Sequence, residues 1–262
     1  MTSQPVRGPD FVQSLERGLA VIKAFDADHP QLTLSDVARS TGLTRAAARR
    51  FLHTLVELGY IRVDGRSFAL RPRVLELGYA FLSSLSLPEI ALPHLEQLSS
   101  AAHESTSIAV LDGDEVVYVA RVPTKRIMAV AISVGTRFPA YATSLGRVLL
   151  AAQSAEWLNG YLATVKLRAL TPNTITSAED LRAELEAVRQ QGWALVDQEL
   201  EIGLRSIAAP IRDSKGHVIA GLNVSAHISR GSSESIRQEL LPHLLRTAEQ
   251  IEDDLRGRKP TG

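Results

Sequence analysis

Several groups of residues in this 262-residue chain have the types and spacing that recognition chemistry requires. The first is Arg39–Arg73, where eight arginines meet only Glu57 and Asp64. The arginine fork fits phosphate oxygens and guanine edges. Such a basic stretch is the electrostatic footprint of nucleic-acid binding, although a solvated helix surface carries the same charge. The second is Ala140–Leu150, where Thr143 and Ser144 run into an apolar helix continuing through Leu145 and Gly146. Amides at a helix start favour a carboxylate. The plainer role of Thr143 or Ser144 is N-capping. The third is Asn223 with Ser225, two apart on an apolar strand and therefore on one face. If buried, they need partners from a ligand or a neighbouring loop. The fourth is Asp197, Glu199 and Glu201, which alternate along a stretch read as a strand, Ala194–Leu200. Carboxylates sharing a face can do acid–base work, but a solvated strand face accounts for them more simply.

Other chemistries lack their residues. The chain has no dinucleotide, P-loop or nucleophile-elbow glycine motif and no zincin histidine pair. Its seven histidines are scattered, and it has no cysteine. Disulfides, thiolate metal sites and cysteine nucleophiles are thereby excluded. No catalytic residue, metal site or cofactor is expected. Hydrophobic residues at 45% and charged residues at 22% are ordinary for a globular protein. The longest apolar run, Ile127–Ile132, is far short of the ~20 residues of a membrane helix. Met1–Asp10 is polar and lacks the apolar stretch of a signal peptide. A cytoplasmic protein with no membrane partner is expected. Net charge is zero, but residues 1–80 hold eleven Lys/Arg against eight Asp/Glu, and the remainder holds 18 against 21.

The arginines need a scaffold. Gln13–Phe25 has helical apolar spacing, with Ser14 as its expected cap. Leu34–Thr41 reads as a second helix, capped by Ser35 and ended by Gly42. Thr44 caps a third that runs to about Leu58. Two helices joined by a tight glycine-containing turn form a helix-turn-helix. At 100° per residue, Arg45, Arg49, His53 and Arg50 occupy about 140° of arc on the third helix. Phe51, Ala48, Leu55 and Leu52 lie on the opposite side, within about 100°. That division suits a helix lying in a major groove. Thr44 is then expected near a phosphate, with Arg45, Arg49 and Arg50 at the bases. Tyr60–Val63 and Ser67–Leu70 make a hairpin about Asp64-Gly65. As a wing, it aims Arg62 and Arg66 at the backbone or minor groove.

Pro72–Leu85 is apolar around much of its circumference and reads as a linker helix packing on another copy of itself. Ser83–Pro88 forms the boundary. Beyond it, Pro88–Ala102, Ser144–Ala152, Ala155–Leu162, Ala178–Gln191 and Ser233–Leu255 read as helices. Ser105–Leu111, Glu115–Val122, Ile127–Val134, Ala194–Leu200, Ser206–Arg212 and Val218–Ser225 read as strands. The expected fold is α+β. Residues 1–71 form a winged helix-turn-helix domain and 72–87 a linker/dimerisation helix. Residues 88–256 form an α/β sensor domain with a mostly antiparallel sheet, and 257–262 a disordered tail.

These residues resemble the IclR-type transcriptional regulators over nearly the whole chain. The resemblance rests on Ser14–Leu19, Leu32–Ala38, Gly42-Leu-Thr-Arg45, Leu55–Gly65, Thr143–Leu150 and Gly203–Ala208. Pro139–Arg147 and Val196–Glu201 are similar to the branch controlling protocatechuate and 4-hydroxybenzoate catabolism. The resemblance implies a homodimer, possible pairing of dimers into tetramers, double-stranded operator DNA as partner, and a small aromatic or short-chain carboxylate effector. By position, it implies an effector pocket with Thr143, Ser144, Leu145, Gly146, Val196, Ser206, Asn223 and Ser225. Gly192, Glu199 and Ser206-Ile207-Ala208 match the family signature. Val196 stands where the family usually has an acidic residue or serine, which predicts an apolar wall for an aromatic ring. The function implied is a transcriptional regulator controlled by an aromatic acid such as protocatechuate or 4-hydroxybenzoate. The alternative is an enzyme acting on a small carboxylate, with the N-terminal module used for assembly.

Overall fold

The computed structural model describes residues 8–78, 86–124 and 132–257. The chain divides into two compact units, Met1–Ser83 and Ser84–Gly262.

In the first unit, helices α1 (Gln13–Lys23), α2 (Leu34–Thr41) and α3 (Arg45–Glu57) pack over a small sheet. Strands β2 (Ile61–Asp64) and β3 (Ser67–Leu70) form the expected hairpin, with Gly65 at φ 61 in its turn. A two-residue strand β1 (Leu32–Thr33) adds to β3, too short to show any alternation in sequence. Val21, Val37, Ala48 and Leu52 are fully buried at the centre. Gly42 ends α2 in the left-handed conformation expected of it. Two expected caps are corrected. α1 starts before Ser14, with Val12 at its N-cap and no side-chain bond there. α2 is capped by Thr33 rather than Ser35, because Thr33 and Asp36 bond each other's backbone reciprocally. Pro72–Leu75 is a 3-10 turn that runs directly into α-helical residues 76–78, a common device where a helix begins. Half of the expected linker helix Pro72–Leu85, from Tyr79 to Leu85, lies outside the described residues.

The second unit opens with α4 (Ser86–Ala102), whose described part includes Ser86–Pro88 of the stretch read as a boundary. A six-stranded antiparallel sheet follows, ordered β6-β5-β4-β9-β8-β7. Its strands are β4 (Ser105–Asp112), β5 (Glu115–Val122), β6 (Arg137–Pro139), β7 (Ala194–Asp197), β8 (Leu204–Arg212) and β9 (Val218–His227). One face carries α4 and α8 (Ser233–Gly257), packed on Ile108, Ile207, Leu222 and Val224. The other carries α5 (Ser144–Ala151), α6 (Ala155–Thr164) and α7 (Ala178–Gln191), packed on Ala109, Tyr118, Ala194 and Ala208.

Two expected strands differ. Ile127–Val134 falls largely outside the described residues, Val134-Gly135 form a turn, and the edge strand is Arg137–Pro139. The strand expected over Ala194–Leu200 stops at Asp197, because Gln198 takes φ 60 and breaks the alternation. Asp197, Glu199 and Glu201 therefore do not share a strand face. The expected disordered tail, 257–262, lies outside the described residues beyond Gly257.

Candidate functional site

The first unit presents a basic face. Thr44 Oγ1 accepts the Ala47 amide at 3.2 Å and so sets the start of α3. Ala48, Leu52 and Leu55 turn inward, which leaves Arg45, Arg49, Arg50 and His53 exposed. Arg45, Arg49 and His53 line a groove with Thr33, Leu34 and Ser35 on one side and Gly65, Arg66 and Phe68 of the hairpin on the other. Arg50 lies on the same helix outside that groove. Among the described residues, Arg45, Arg49, Arg50 and Arg66 have no carboxylate partner. Arg62 does: its Nη1 lies 3.2 Å from Asp64 Oδ2, two residues along the same strand. The face thus combines an exposed cationic helix with a hairpin turn that carries one further cation, the arrangement that reads duplex DNA.

The second unit hides its polar groups. Strand pairing sets Val196, Ser206, Ser225 and Ser105 in one row across β7, β8, β9 and β4. Asn223, Ser107 and Arg121 stand in the adjacent row across β9, β4 and β5. All point to the α5 side. There a cavity is lined by Thr143, Val196, Ser206, Asn223 and Ser225, together with Tyr118, Ile132, Leu200 and Leu204. The cavity is tight, about 10 Å³, room for little more than one water, so a ligand must part these walls to enter. Val196, Leu200, Leu204 and Ile132 give it apolar walls. Burial pushes the Tyr118 phenol up to about 12. Asn223 Nδ2 donates to Ser225 Oγ at 3.0 Å, and its Oδ1 is buried without a partner.

The other three residues expected in the pocket stand behind its wall. Ser144 Oγ donates to Ser206 Oγ at 2.8 Å. Leu145 is fully buried and packs over Gly221. The Gly146 amide is already taken by Thr143 Oγ1 at 2.9 Å, and a Cβ there would lie 1.9 Å from the Ala140 carbonyl oxygen. The plain capping role of Thr143 and the pocket role therefore coexist. Tyr118, Ser107 and Arg121 escaped sequence reasoning. Their one visible signal was the alternation of Ser105 and Ser107 along β4.

A buried ion cluster fixes this wall. Arg147 is fully buried. Its Nε donates to the Tyr141 carbonyl at 2.7 Å, Nη2 to Glu199 at 2.7 Å, and Nη1 lies 3.4 Å from Glu184. Glu199 also accepts the Ile175 amide. Burial holds the Glu199 carboxyl above its ordinary value, against the pull of the Arg147 charge. The cluster ties the start of α5 to the loop that supplies Leu200. Asp197 turns elsewhere, accepting from Arg205 Nη2 and Ser233 Oγ.

A winged helix-turn-helix followed by a domain with an internal polar pocket defines a DNA-binding regulator with a sensor. Residues 14–65 match the IclR helix-turn-helix domain, and residues 79–253 match the bacterial transcriptional regulator IclR C-terminal domain. The chain belongs to the IclR family of bacterial transcriptional regulators. It is 48% identical over 244 residues to the Pca regulon regulatory protein of Pseudomonas putida, covering 93% of this chain and 84% of that one. A transcriptional regulator from Rhodococcus sp. RHA1 is 56% identical, with TM-score 0.84 over 94% of this chain and 99% of that one. An IclR homologue from Microbacterium hydrocarbonoxydans, solved with 4-hydroxybenzoate, is 30% identical, with TM-score 0.83 over 94% and 100% of the two chains. The relatives are regulators, and the enzyme alternative is set aside. No described helix is long and apolar enough to cross a membrane.

Proposed function

We propose that this chain is a transcriptional regulator whose effector is an aromatic acid of the hydroxybenzoate class. The observation that carries the reading is the two-sided cavity, apolar at Val196, Leu200 and Leu204 and polar at Ser206, Asn223 and Ser225. A hydroxybenzoate has the same division between ring and polar substituents. The Pseudomonas relative's name and the Microbacterium complex support this choice. Arg45, Arg49 and Arg50 read the operator's major groove, Thr44 lies near a phosphate, and Arg66 reaches the backbone from the wing. Arg62 makes a lesser contact because Asp64 already neutralises it. The chain acts in the cytoplasm as a homodimer that presents two recognition helices to two half-sites.

A promoter reporter tests this reading. DNA bound by the chain is selected from its own genome, placed before a reporter, and assayed with 4-hydroxybenzoate, protocatechuate or pyruvate. A response to either aromatic acid and not to pyruvate is expected. A response to pyruvate alone overturns the aromatic assignment.

A further inference from the structure

We propose that Arg121 is the anchor for the effector's carboxylate, a specificity-determining role deeper than the cavity lining; this inference rests on the aromatic-acid reading. Arg121 occupies the sheet row shared with Ser107 and Asn223, on the cavity side. Its Nη1 donates to Ser107 Oγ at 3.0 Å, which draws the guanidinium over β4 toward Asn223, a residue of the cavity wall. Among the described residues no carboxylate pairs with Arg121, and its Nε is buried without a partner. Residues 1–7, 79–85, 125–131 and 258–262 contain no Asp or Glu that could serve. Among the described residues of this unit, Arg147, Arg205 and Arg230, which are also largely buried, are each paired with a carboxylate.

A half-buried cation without a counter-charge is costly unless an anion arrives. Burial accordingly pulls the Arg121 pKa down. Asn223 supplies a second, independent vacancy: it is 2% exposed and its Oδ1 awaits a donor. A hydroxybenzoate offers both missing partners, a carboxylate for Arg121 and a ring hydroxyl for Asn223. The start of α5 is a poorer anchor, since the Gly146 amide is occupied by the Thr143 cap. The acid is therefore oriented with its carboxylate toward β5 and β4, and with its ring against Val196 and Leu200.

Calorimetry on the full chain tests this with 4-hydroxybenzoate and its neutral isostere 4-hydroxybenzamide. The wild type should bind the acid at least about 10-fold more tightly than the amide, the range of a hydrogen bond to a charged group. Arg121→Met should weaken the acid by about 30-fold and leave the amide within about 3-fold, while Arg121→Lys recovers part of the loss. Ser107→Ala, which frees Nη1, should weaken the acid selectively and by less. Should Arg121→Met fail to fold, the wild-type ratio and Ser107→Ala still decide. A wild-type ratio near one, or equal losses of acid and amide in Arg121→Met, overturns the anchor and leaves the effector reading standing. A wild type that binds neither compound overturns both.

Discussion

Arg49 on α3 is exposed and has no carboxylate partner among the described residues, whereas Arg147 on α5 is fully buried and bonded to Glu199 and the Tyr141 carbonyl. The same side chain serves opposite purposes. On α3 the cation is kept hydrated and available, so its partner can be a phosphate or a base edge. On α5 the cation is used up internally, and its product is the fixed position of a loop. Arg121 falls between them, inside the fold like Arg147 and unpaired like Arg49. On the reading proposed above, function follows the unpaired charges, and rigidity follows the paired ones.

The largest effect should come from breaking the paired cluster. Arg147→Met leaves Glu199 buried without its cation, and loss of one partner of such a pair costs about 3–5 kcal/mol. Urea unfolding followed by the near-ultraviolet signal of Trp157 and Trp193 should register this loss in the sensor unit. A change below about 1 kcal/mol would place Arg147 among the indifferent surface ion pairs.

Breaking the unpaired side should act on binding instead. Arg49→Ala should weaken operator DNA by about 1–3 kcal/mol, the worth of a good base contact, and leave unfolding and effector affinity unchanged. Fluorescence anisotropy with a selected operator measures this. An equal loss of operator and effector binding would mean that α3 is damaged rather than merely disarmed.

The wing refines the contrast. Arg66→Ala should reduce the salt slope of DNA binding by about one and weaken all sequences alike. Arg62→Ala should do less, because Asp64 already holds that charge. The reverse order would show that the Arg62–Asp64 pair opens on DNA.

The smallest effect concerns Asp36. Hydrogen bonds from Thr33 hold its carboxyl below the ordinary value. Its stabilisation is therefore present above the ordinary carboxylate pKa and fades as pH falls through the lowered one. Asp36→Asn should lower the melting temperature slightly at neutral pH, and the gap to wild type should close in strong acid. A gap that widens in acid would contradict the capping assignment.

How much of this was legible follows from the same contrast. The helix-turn-helix face is local: α3 carries its cations and its apolar back within thirteen residues, so periodicity alone exposes both. The hairpin turn at Asp64-Gly65 is likewise a two-residue signal. The pocket is non-local. Asn223 and Ser225 could be paired by their spacing, but their meeting with Ser107, Arg121 and Ser206 depends on the strand order β5-β4-β9-β8, which no local pattern encodes. The Asp197, Glu199 and Glu201 alternation misled because a single left-handed residue, Gln198, sends Glu199 inward to Arg147. Val196 lines the same cavity, and its apolar character can be read with no knowledge of register.

The central claim is that the walls of the sensor cavity open to take an aromatic ring with a carboxylate. Competition calorimetry on the wild-type chain tests it most directly, titrating 4-hydroxybenzoate with and without excess glyoxylate or pyruvate. The account predicts measurable binding of the aromatic acid that neither keto acid displaces. Displacement by glyoxylate or pyruvate, with tighter binding of the small acid than of 4-hydroxybenzoate, would contradict it.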